Sequence, residues 1–322
     1  MDDVAGPVFV TGCDRSGTSL LTLMLDRSSS LKMLFEVGFV PHLASTQQEY
    51  GDFSTAQQRW YFIRDLQSQE STCGAFAFDK IEDVSEEEAE EALREAAPMD
   101  YTEAVDVLFS AAAAQDEKPW WGEKMPEYVF HVEWLASAFP RCHIVHIIRD
   151  PRDVAASVYR AGWTPSLPDA ALFWKERVSA ARSGGRTIRK NRYHEVRYES
   201  LVQDPVEELR KLSRRIDVQF ESEMTATHRG GTDAIPEAHR GLDQFSLLDR
   251  PVDSSRAYAW KRELADREIA DIESVAAPLM RDLGYEVTGR TVPLGVRGAR
   301  KAKTAGGTLF RRIREYFRSA IP

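Results

Sequence analysis

Eight residues near the start of the chain decide its fold: Gly12-Cys13-Asp14-Arg15-Ser16-Gly17-Thr18-Ser19. They follow a short apolar segment, Val8 to Val10, that predicts a strand, and precede an apolar segment, Leu20 to Leu25, that predicts a helix. Two glycines five residues apart let the backbone turn tightly, so that successive N–H groups and the start of the helix point at one anion. The spacing therefore predicts a phosphate-binding loop.

This loop differs at one position from the loop of nucleoside triphosphatases. Their pattern, G-x-x-x-x-G-K-[ST], has a lysine after the second glycine that holds the β- and γ-phosphates, whereas this chain has Thr18. Arg15 offers a cationic fork instead, which suits an anion bound without the lysine and magnesium of a triphosphatase. A P-loop kinase is the alternative, but it also needs an aspartate directly after an apolar strand, and Arg149 separates the strand from Asp150.

A second segment predicts where the other end of a nucleotide binds. The mostly apolar run Cys142 to Ile148 predicts a strand, and after Arg149 the pattern becomes helical through Ser157. In open α/β sheets, ligands bind outside the carboxyl ends of the strands, so Arg149 and the loop after Val10 are expected to face one crevice. Arg149 and Ser157 are therefore the candidates for binding a second phosphate.

These two motifs together resemble the sulfotransferases that take a sulfuryl group from 3'-phosphoadenosine 5'-phosphosulfate, PAPS. Arg15 to Ser19 are similar to the 5'-phosphosulfate loop of that family, and Arg149 to Ser157 are similar to its 3'-phosphate segment. An arginine in the loop resembles the tyrosylprotein, Golgi carbohydrate and bacterial branches more than the cytosolic phenol branch. The resemblance covers most of residues 7 to 287 and extends through four further segments: Glu123 to Pro126, Val196 to Leu201, Ser254 to Arg256, and Trp260-Lys261.

The resemblance implies three catalytic residues. Arg15 orients the 5'-phosphosulfate, and Lys124 aligns with a lysine near the bridging oxygen, where a cation stabilises the departing phosphate. Glu36 resembles the carboxylate that serves as base in tyrosylprotein sulfotransferases, although Phe35 stands where that family often has a second acid. His42 is the second candidate base because imidazole titrates near neutrality, but it lies in no matching motif.

Further residues are implied in donor binding. The resemblance assigns the 5'-phosphosulfate to Arg15, Ser16, Gly17, Thr18 and Ser19, and the 3'-phosphate to Arg149 and Ser157. Tyr198 is expected against the adenine. Three residues are expected to close over the donor from the carboxyl side: Ser255, Arg256 and Lys261, with Ser254 an equal candidate for the place of Ser255. No metal is predicted, since a strand places His143 and His146 on opposite faces.

Composition narrows the class of protein. A chain of 322 residues with a net charge of −9 is unlike a general nucleic-acid binder. Three widely spaced cysteines predict a reducing compartment without a disulfide framework. No apolar run approaches the length that crosses a bilayer, and no signal peptide is evident, so we expect cytoplasmic residence. Oligomeric state is left open.

Strands and helices alternate along the chain, which predicts an α/β fold with a central, mainly parallel sheet flanked by helices, P-loop nucleotide binding and helical insertions. We expect strands at Lys32 to Glu36, His194 to Tyr198 and Val218 to Phe220, and one helix from Pro126 to Phe139. Residues 1–290 form the predicted domain.

The remaining residues, 291–322, have a different composition. Between Arg297 and Arg318 they carry eight lysines or arginines and one acid, with apolar residues at helical spacing. Such a basic amphipathic segment is typical of peripheral contact with an anionic membrane, but the favoured alternative is that it packs on the acidic body or is simply frayed.

The sequence therefore predicts a PAPS-dependent sulfotransferase that acts on a hydroxyl, or less readily an amine, and releases adenosine 3',5'-bisphosphate (PAP). A carbohydrate or glycolipid is the favoured acceptor, ahead of peptide tyrosine and small metabolites. The alternatives are the kinase and a nucleotide-binding or membrane-associated scaffold without turnover.

Overall fold

The computed structural model describes residues 6–68, 84–227 and 250–290. The predicted tail and Cys73 lie outside these residues. The division of the chain at residue 290 therefore stays a prediction.

A parallel sheet forms the centre of the fold, as the sequence predicts. Its strands are β1 (Val8–Gly12), β2 (Leu31–Phe35), β3 (Trp120–Lys124), β4 (His143–Ile148) and β5 (Tyr193–Arg197). They are arranged in the order β2-β3-β1-β4-β5, and every neighbouring pair is parallel. The carboxyl ends of all five strands therefore meet at one edge, where a doubly wound sheet binds its ligand.

Helices cover both faces of this sheet. In chain order they are α1 (Thr18–Asp26), α2 (Val40–Leu43), α3 (Ala56–Ser68), α4 (Glu86–Ala96), α5 (Tyr101–Gln115), α6 (Val132–Ala138), α7 (Pro151–Arg160), α8 (Leu167–Thr187), α9 (Tyr198–Gln203), α10 (Pro205–Arg215), α11 (Trp260–Glu263) and α12 (Asp266–Asp282). Short 3₁₀ helices lie at Ala44–Glu49, Pro126–Phe130, Ser222–Thr225 and Ser254–Arg256. Of the described helices, none is both long and apolar enough to cross a membrane.

Alternate residues of β1 build two separate cores. Phe9 packs edge-on against Trp121 and Tyr128, with ring centroids 5.6 and 5.7 Å apart, in the layer formed with α3 to α6. Val8 and Val10 face the opposite layer, with α1, α9 and α10. The whole strand is buried, as expected of a parallel strand covered on both sides. A third core joins α7, α8 and α12.

Two local predictions are wrong. Val218 to Phe220 do not form a strand: the Val218 N–H donates to the carbonyl of Ser213, and the Arg210 guanidinium stacks on Phe220. These apolar residues pack against the end of α10 instead of pairing. The helix predicted from Pro126 to Phe139 is divided into the 3₁₀ helix and α6, because His131 leaves helical geometry with φ −119° and ψ 11°.

Candidate active site

Each of the five strands contributes a residue just beyond its carboxyl end to one cavity of about 200 Å³. These residues are Arg15 after β1, Glu36 after β2, Pro126 after β3, Arg149 after β4 and Tyr198 after β5. Because parallel strands end at a common edge, residues up to 183 positions apart in the sequence come to line one surface. The cavity is therefore built by the sheet as a whole.

The predicted phosphate-binding loop lies at the centre of this cavity. Gly17 has φ +94° and caps α1, and a Cβ there would lie 2.5 Å from the Tyr198 ring, so only glycine fits. The helix starts at Thr18 with no acid in its first turn, which leaves its partial positive charge available for an anion. Arg15 has φ +67°, a left-handed conformation that a side chain rarely adopts and that is concentrated at functional sites.

Arg149, which follows β4, and Ser157, which lies in α7, both contact the loop. The Arg15 Nε donates to the Ser157 Oγ at 3.0 Å, and the Arg149 Nη1 donates to the Arg15 carbonyl at 3.1 Å. A second Arg149 nitrogen, Nη2, donates to the Arg256 carbonyl at 2.8 Å, and the guanidinium lies 4.3 Å from the centre of the Tyr198 ring. Two motifs that are separated in sequence thus form one cationic surface.

Glu36 and Lys124 form a pair because β2 and β3 are neighbours. The Glu36 N–H donates to the Lys124 carbonyl at 2.9 Å, and the Lys124 ammonium binds the Glu36 carboxylate directly. Glu36 has φ +54° and lines the cavity. Lys124 is fully buried behind it, 3.4 Å from the Ser19 Oγ and 3.7 Å from the centre of the Phe35 ring. Burial lowers the pKa of Lys124, and the Glu36 charge opposes that shift.

Three buried charges that the sequence analysis missed lie beside this pair. The Arg177 Nε of α8 donates to Asp14 at 3.1 Å, and its Nη2 lies 3.9 Å from Glu127. Burial raises the pKa of Glu127 to about 8 and also raises the pKa of Asp14, with Arg177 opposing both shifts. The sequence could have indicated Asp14 and Glu127, because each is an acid within the phosphate-binding loop or an otherwise apolar segment. Nothing in the helical sequence around Arg177 distinguishes it from an ordinary surface arginine.

The other predicted residues occupy different places. Thr18 and Ser19 line the cavity, whereas Ser16 is fully buried beneath the loop. Ser255 and Lys261 are not among the lining residues: Ser255 is exposed and its Oγ donates to Asp253, and Lys261 lies near the rings of Tyr258 and Trp260.

On that carboxyl side, Arg256, which was also expected to cover the donor, lines the cavity together with Asp253. The reason is local, because Ser254–Arg256 is a 3₁₀ turn in which successive side chains point in different directions. His42 lies in α2, and its side chain is outside the described part of the chain.

The histidines of β4 have separate partners. The His143 Nδ1 is 3.1 Å from the His194 Nε2, whereas the His146 Nδ1 is 2.6 Å from the Tyr193 hydroxyl. Over residues 6–68, 84–227 and 250–290, no three histidine, cysteine or acidic side chains form a group that could hold a metal ion.

Comparison with known proteins places this chain in a family. The sequence model described as "Sulfotransferase family" matches residues 7–222. The protein-tyrosine sulfotransferase A of Caenorhabditis elegans is 21% identical over 287 residues, which cover 87% of this chain and 67% of that protein.

Two solved sulfotransferase domains have a similar fold. The domain from the curacin biosynthetic pathway has a TM-score of 0.58 at 19% identity, covering 89% of this chain and 100% of its own. The domain from the olefin synthase of Synechococcus PCC 7002 has a TM-score of 0.59 at 20% identity, covering 88% and 98%.

Proposed function

The chain belongs to the sulfotransferase family, whose members are PAPS-dependent enzymes that transfer a sulfuryl group to a hydroxyl, and we propose that its acceptor is a sugar hydroxyl on a carbohydrate or glycolipid. In this proposal, PAPS lies along the carboxyl edge of the sheet and PAP is released. The observation that carries the donor assignment is the single cavity to which all five strands contribute a residue.

The cavity has a cation for each end of the donor. The loop amides and Arg15 bind the 5'-phosphosulfate at the start of α1. Arg149 and Ser157 bind the 3'-phosphate, which ATP does not have. Tyr198 supports the adenine and carries Arg149 on its ring face, 4.3 Å from the guanidinium. Ser255 and Lys261 remain candidates for covering the donor, although neither lines the cavity here.

Glu36 and Lys124 divide the chemistry between them. Glu36 takes the proton of the acceptor hydroxyl as the acceptor oxygen forms its bond to sulfur. The bond between sulfur and the 5'-phosphate oxygen breaks, and its electron pair stays on that oxygen. Because a protonated Glu36 no longer neutralises Lys124, the ammonium charge becomes available to the departing phosphate at that moment. The direct ion pair between these two side chains is the support for this step.

The donor assignment is tested by calorimetric titration of the full chain with PAP, ATP and adenosine 5'-phosphate. We expect tight binding of PAP and much weaker binding of the other two. ATP binding as tightly as PAP would favour the kinase alternative.

Turnover is tested with labelled PAPS and Glu36→Gln. An enzyme loses most of its rate in this variant while its affinity for PAP is retained. A scaffold shows no sulfuryl transfer in the wild-type chain, and its affinity for PAP is indifferent to the substitution.

The acceptor is tested by incubating the chain with labelled PAPS and three acceptors: a free oligosaccharide, a glycolipid in vesicles and a tyrosine peptide. The similarity to a protein-tyrosine sulfotransferase favours the peptide as the second candidate. Label in the sugar supports the proposal, and label in the peptide alone overturns the acceptor class. Glu36→Gln is the control in each arm.

The proposal includes cytoplasmic residence and a peripheral contact between residues 297–318 and anionic lipid. Support comes from the eight basic residues of this segment. Sedimentation with anionic and neutral vesicles tests the contact, and equal binding to both kinds of vesicle argues against it.

A further inference from the structure

A buried cluster of ionisable side chains reaches the cavity through Asp14, which lines it. Asp14, Glu127 and Arg177 are only 4%, 2% and 4% exposed. The Arg177 guanidinium donates to Asp14 at 3.1 Å, lies 3.9 Å from Glu127, and stacks on Phe173 at 3.4 Å. Its position is therefore fixed by one hydrogen-bonded carboxylate and a ring face, with the Glu127 carboxyl group beside it.

The three charged side chains come from three separate parts of the fold. Asp14 immediately precedes Arg15 in the phosphate-binding loop. Glu127 follows Lys124 by three residues and lies in the 3₁₀ helix after β3. Arg177 comes from the middle of α8, which packs against that 3₁₀ helix. One guanidinium thus joins the segment that carries Arg15 to the segment that carries Lys124.

Three carboxyl groups lie close together at this end of the cavity. The carboxylates are Asp14, Glu36 and Glu127, and the cations near them are Lys124 and Arg177. Neither oxygen of Glu127 has a hydrogen-bond partner in the described part of the chain. Burial raises the pKa of Glu127 to about 8, so Glu127 holds a proton at neutral pH.

We propose that Arg177 is a positioning residue for sulfuryl transfer, which holds Asp14 and Glu127 together and so sets the distance between Arg15 and Lys124. This inference rests on the proposed function, because Arg15 and Lys124 matter jointly only if both act on the 5'-phosphosulfate. Arg177 itself does not line the cavity. It acts through the two backbone segments that it joins.

The alternative is that Arg177 only neutralises buried carboxylates. The triple variant Asp14→Asn, Glu127→Gln, Arg177→Met separates the two roles, because it removes the charges and the bridge together. We expect it to fold, with the turnover rate lowered about 100-fold, since a small displacement of reacting groups has an effect of that size. The Kd values of PAP and of adenosine 5'-phosphate should rise by equal factors, because both ligands bind the loop.

Arg177→Lys is the second variant, because it keeps the charge but has one nitrogen where the guanidinium has a fork. We expect the same pattern in weaker form. Wild-type turnover and binding in Arg177→Lys, or in a folded triple variant, would overturn the inference. Arg182→Met is the matched control, since Arg182 lies on the same helix and pairs with the partly exposed Glu195 at 2.8 Å.

The two hypotheses fail in different ways. If the wild-type chain does not prefer PAP, the proposed function is wrong whatever the variants do. If the wild-type chain binds PAP tightly and both variants equal it in binding and turnover, only the role of Arg177 is wrong.

Discussion

The two ends of the cavity hold their cations differently. At the end with Glu36, the Lys124 ammonium binds a carboxylate directly, and Arg177 behind it binds Asp14. At the other end, Arg149 donates to two main-chain carbonyls and lies on the ring of Tyr198. The Asp153 carboxylate lies 3.7 Å from its Nη2, an ion pair without a hydrogen bond.

This difference gives the two ends different tasks: the Arg149 end binds the donor, and the Lys124 end takes part in the reaction. Carbonyl dipoles hold Arg149 without cancelling its charge, and Asp153 at 3.7 Å offsets that charge less than the directly bound Glu36 offsets Lys124, so a positive potential remains to attract a phosphate. A carboxylate cancels the charge of its lysine until a proton moves. The Lys124 charge is therefore neutralised before the reaction and becomes available when Glu36 is protonated, which is the stage at which negative charge develops on the phosphate.

The largest expected effect tests the reacting end. Lys124→Met should lower kcat about 1,000-fold, or about 4 kcal/mol in the barrier, since Lys124 stabilises charge mainly in the transition state. The Kd for PAP should stay close to the wild-type value. Steady-state kinetics with labelled PAPS and calorimetry provide the two numbers.

Lys32→Met is the control for this comparison. Lys32 lies on β2 and pairs with the exposed Asp116, so kcat should not change. A rise in the Kd for PAP as large as the fall in kcat would place Lys124 among the binding cations and remove the contrast between the two ends.

Arg149→Ala tests the binding end. The Kd for PAP should rise about 100-fold, because a charge-assisted contact with phosphate contributes about 3 kcal/mol at most. The Kd for adenosine 5'-phosphate should not change, since that ligand has no 3'-phosphate. Arg160→Ala, at the exposed end of α7, is the matched control. Equal weakening of both nucleotides would place Arg149 on another part of the ligand.

The pH dependence of the free energy of unfolding tests whether Glu127, at the reacting end, holds a proton at neutral pH. Burial raises the pKa of Glu127 from its ordinary 4.5 to about 8, so its contribution to stability is fully present below pH 4.5 and is lost as the pH rises through 8. Between pH 6 and pH 9 the wild-type chain should lose on the order of 2 kcal/mol of unfolding free energy through Glu127, and Glu127→Gln should not show this loss. Urea unfolding of both chains across this range measures the difference.

Two comparisons make that measurement specific. Burial also raises the pKa of Glu123 to about 7, so Glu127→Gln still loses some stability as the pH rises. The informative quantity is therefore the difference in unfolding free energy between the variant and the wild type. Glu133→Gln, at an exposed site on α6, should retain the wild-type profile. Identical profiles for Glu127→Gln and wild type would mean that Glu127 is ionised at neutral pH.

The smallest expected effect concerns Tyr198, the ring beneath Arg149. Tyr198→Leu should raise the Kd for PAP about fivefold, or about 1 kcal/mol, through loss of the cation–π contact. Tyr198→Phe should bind as the wild type does, because the ring face remains. Calorimetry on the two variants decides between the ring and the hydroxyl, and an equal loss in both would assign the effect to the hydroxyl.

Much of the fold and of the donor site follows from local patterns. The loop, its flanking strand and helix, and the segment from Arg149 to Ser157 are each continuous in sequence, so spacing alone predicts them. The parallel sheet follows from the alternation of strands and helices. Strand β3 was not predicted, because its residues, Trp-Trp-Gly-Glu-Lys, end in two charges that a local pattern assigns to the surface.

The unpredicted parts depend on contacts between distant segments. Glu123 and Lys124 are fully buried because β3 lies between β1 and β2, a neighbourhood that the sequence order conceals. Arg177 looks like an ordinary charged residue of a long helix, and only the packing of α8 brings it to Asp14 and Glu127.

The sequence by itself determined the anion-binding loop, the second phosphate segment and the α/β class, since these depend on backbone geometry and periodicity within short stretches. Tertiary structure alone decided which cations bind a carboxylate directly and which bind main-chain carbonyls. The energy of a charge depends on its burial and on partners within a few ångströms, and both are set by strand order and helix packing.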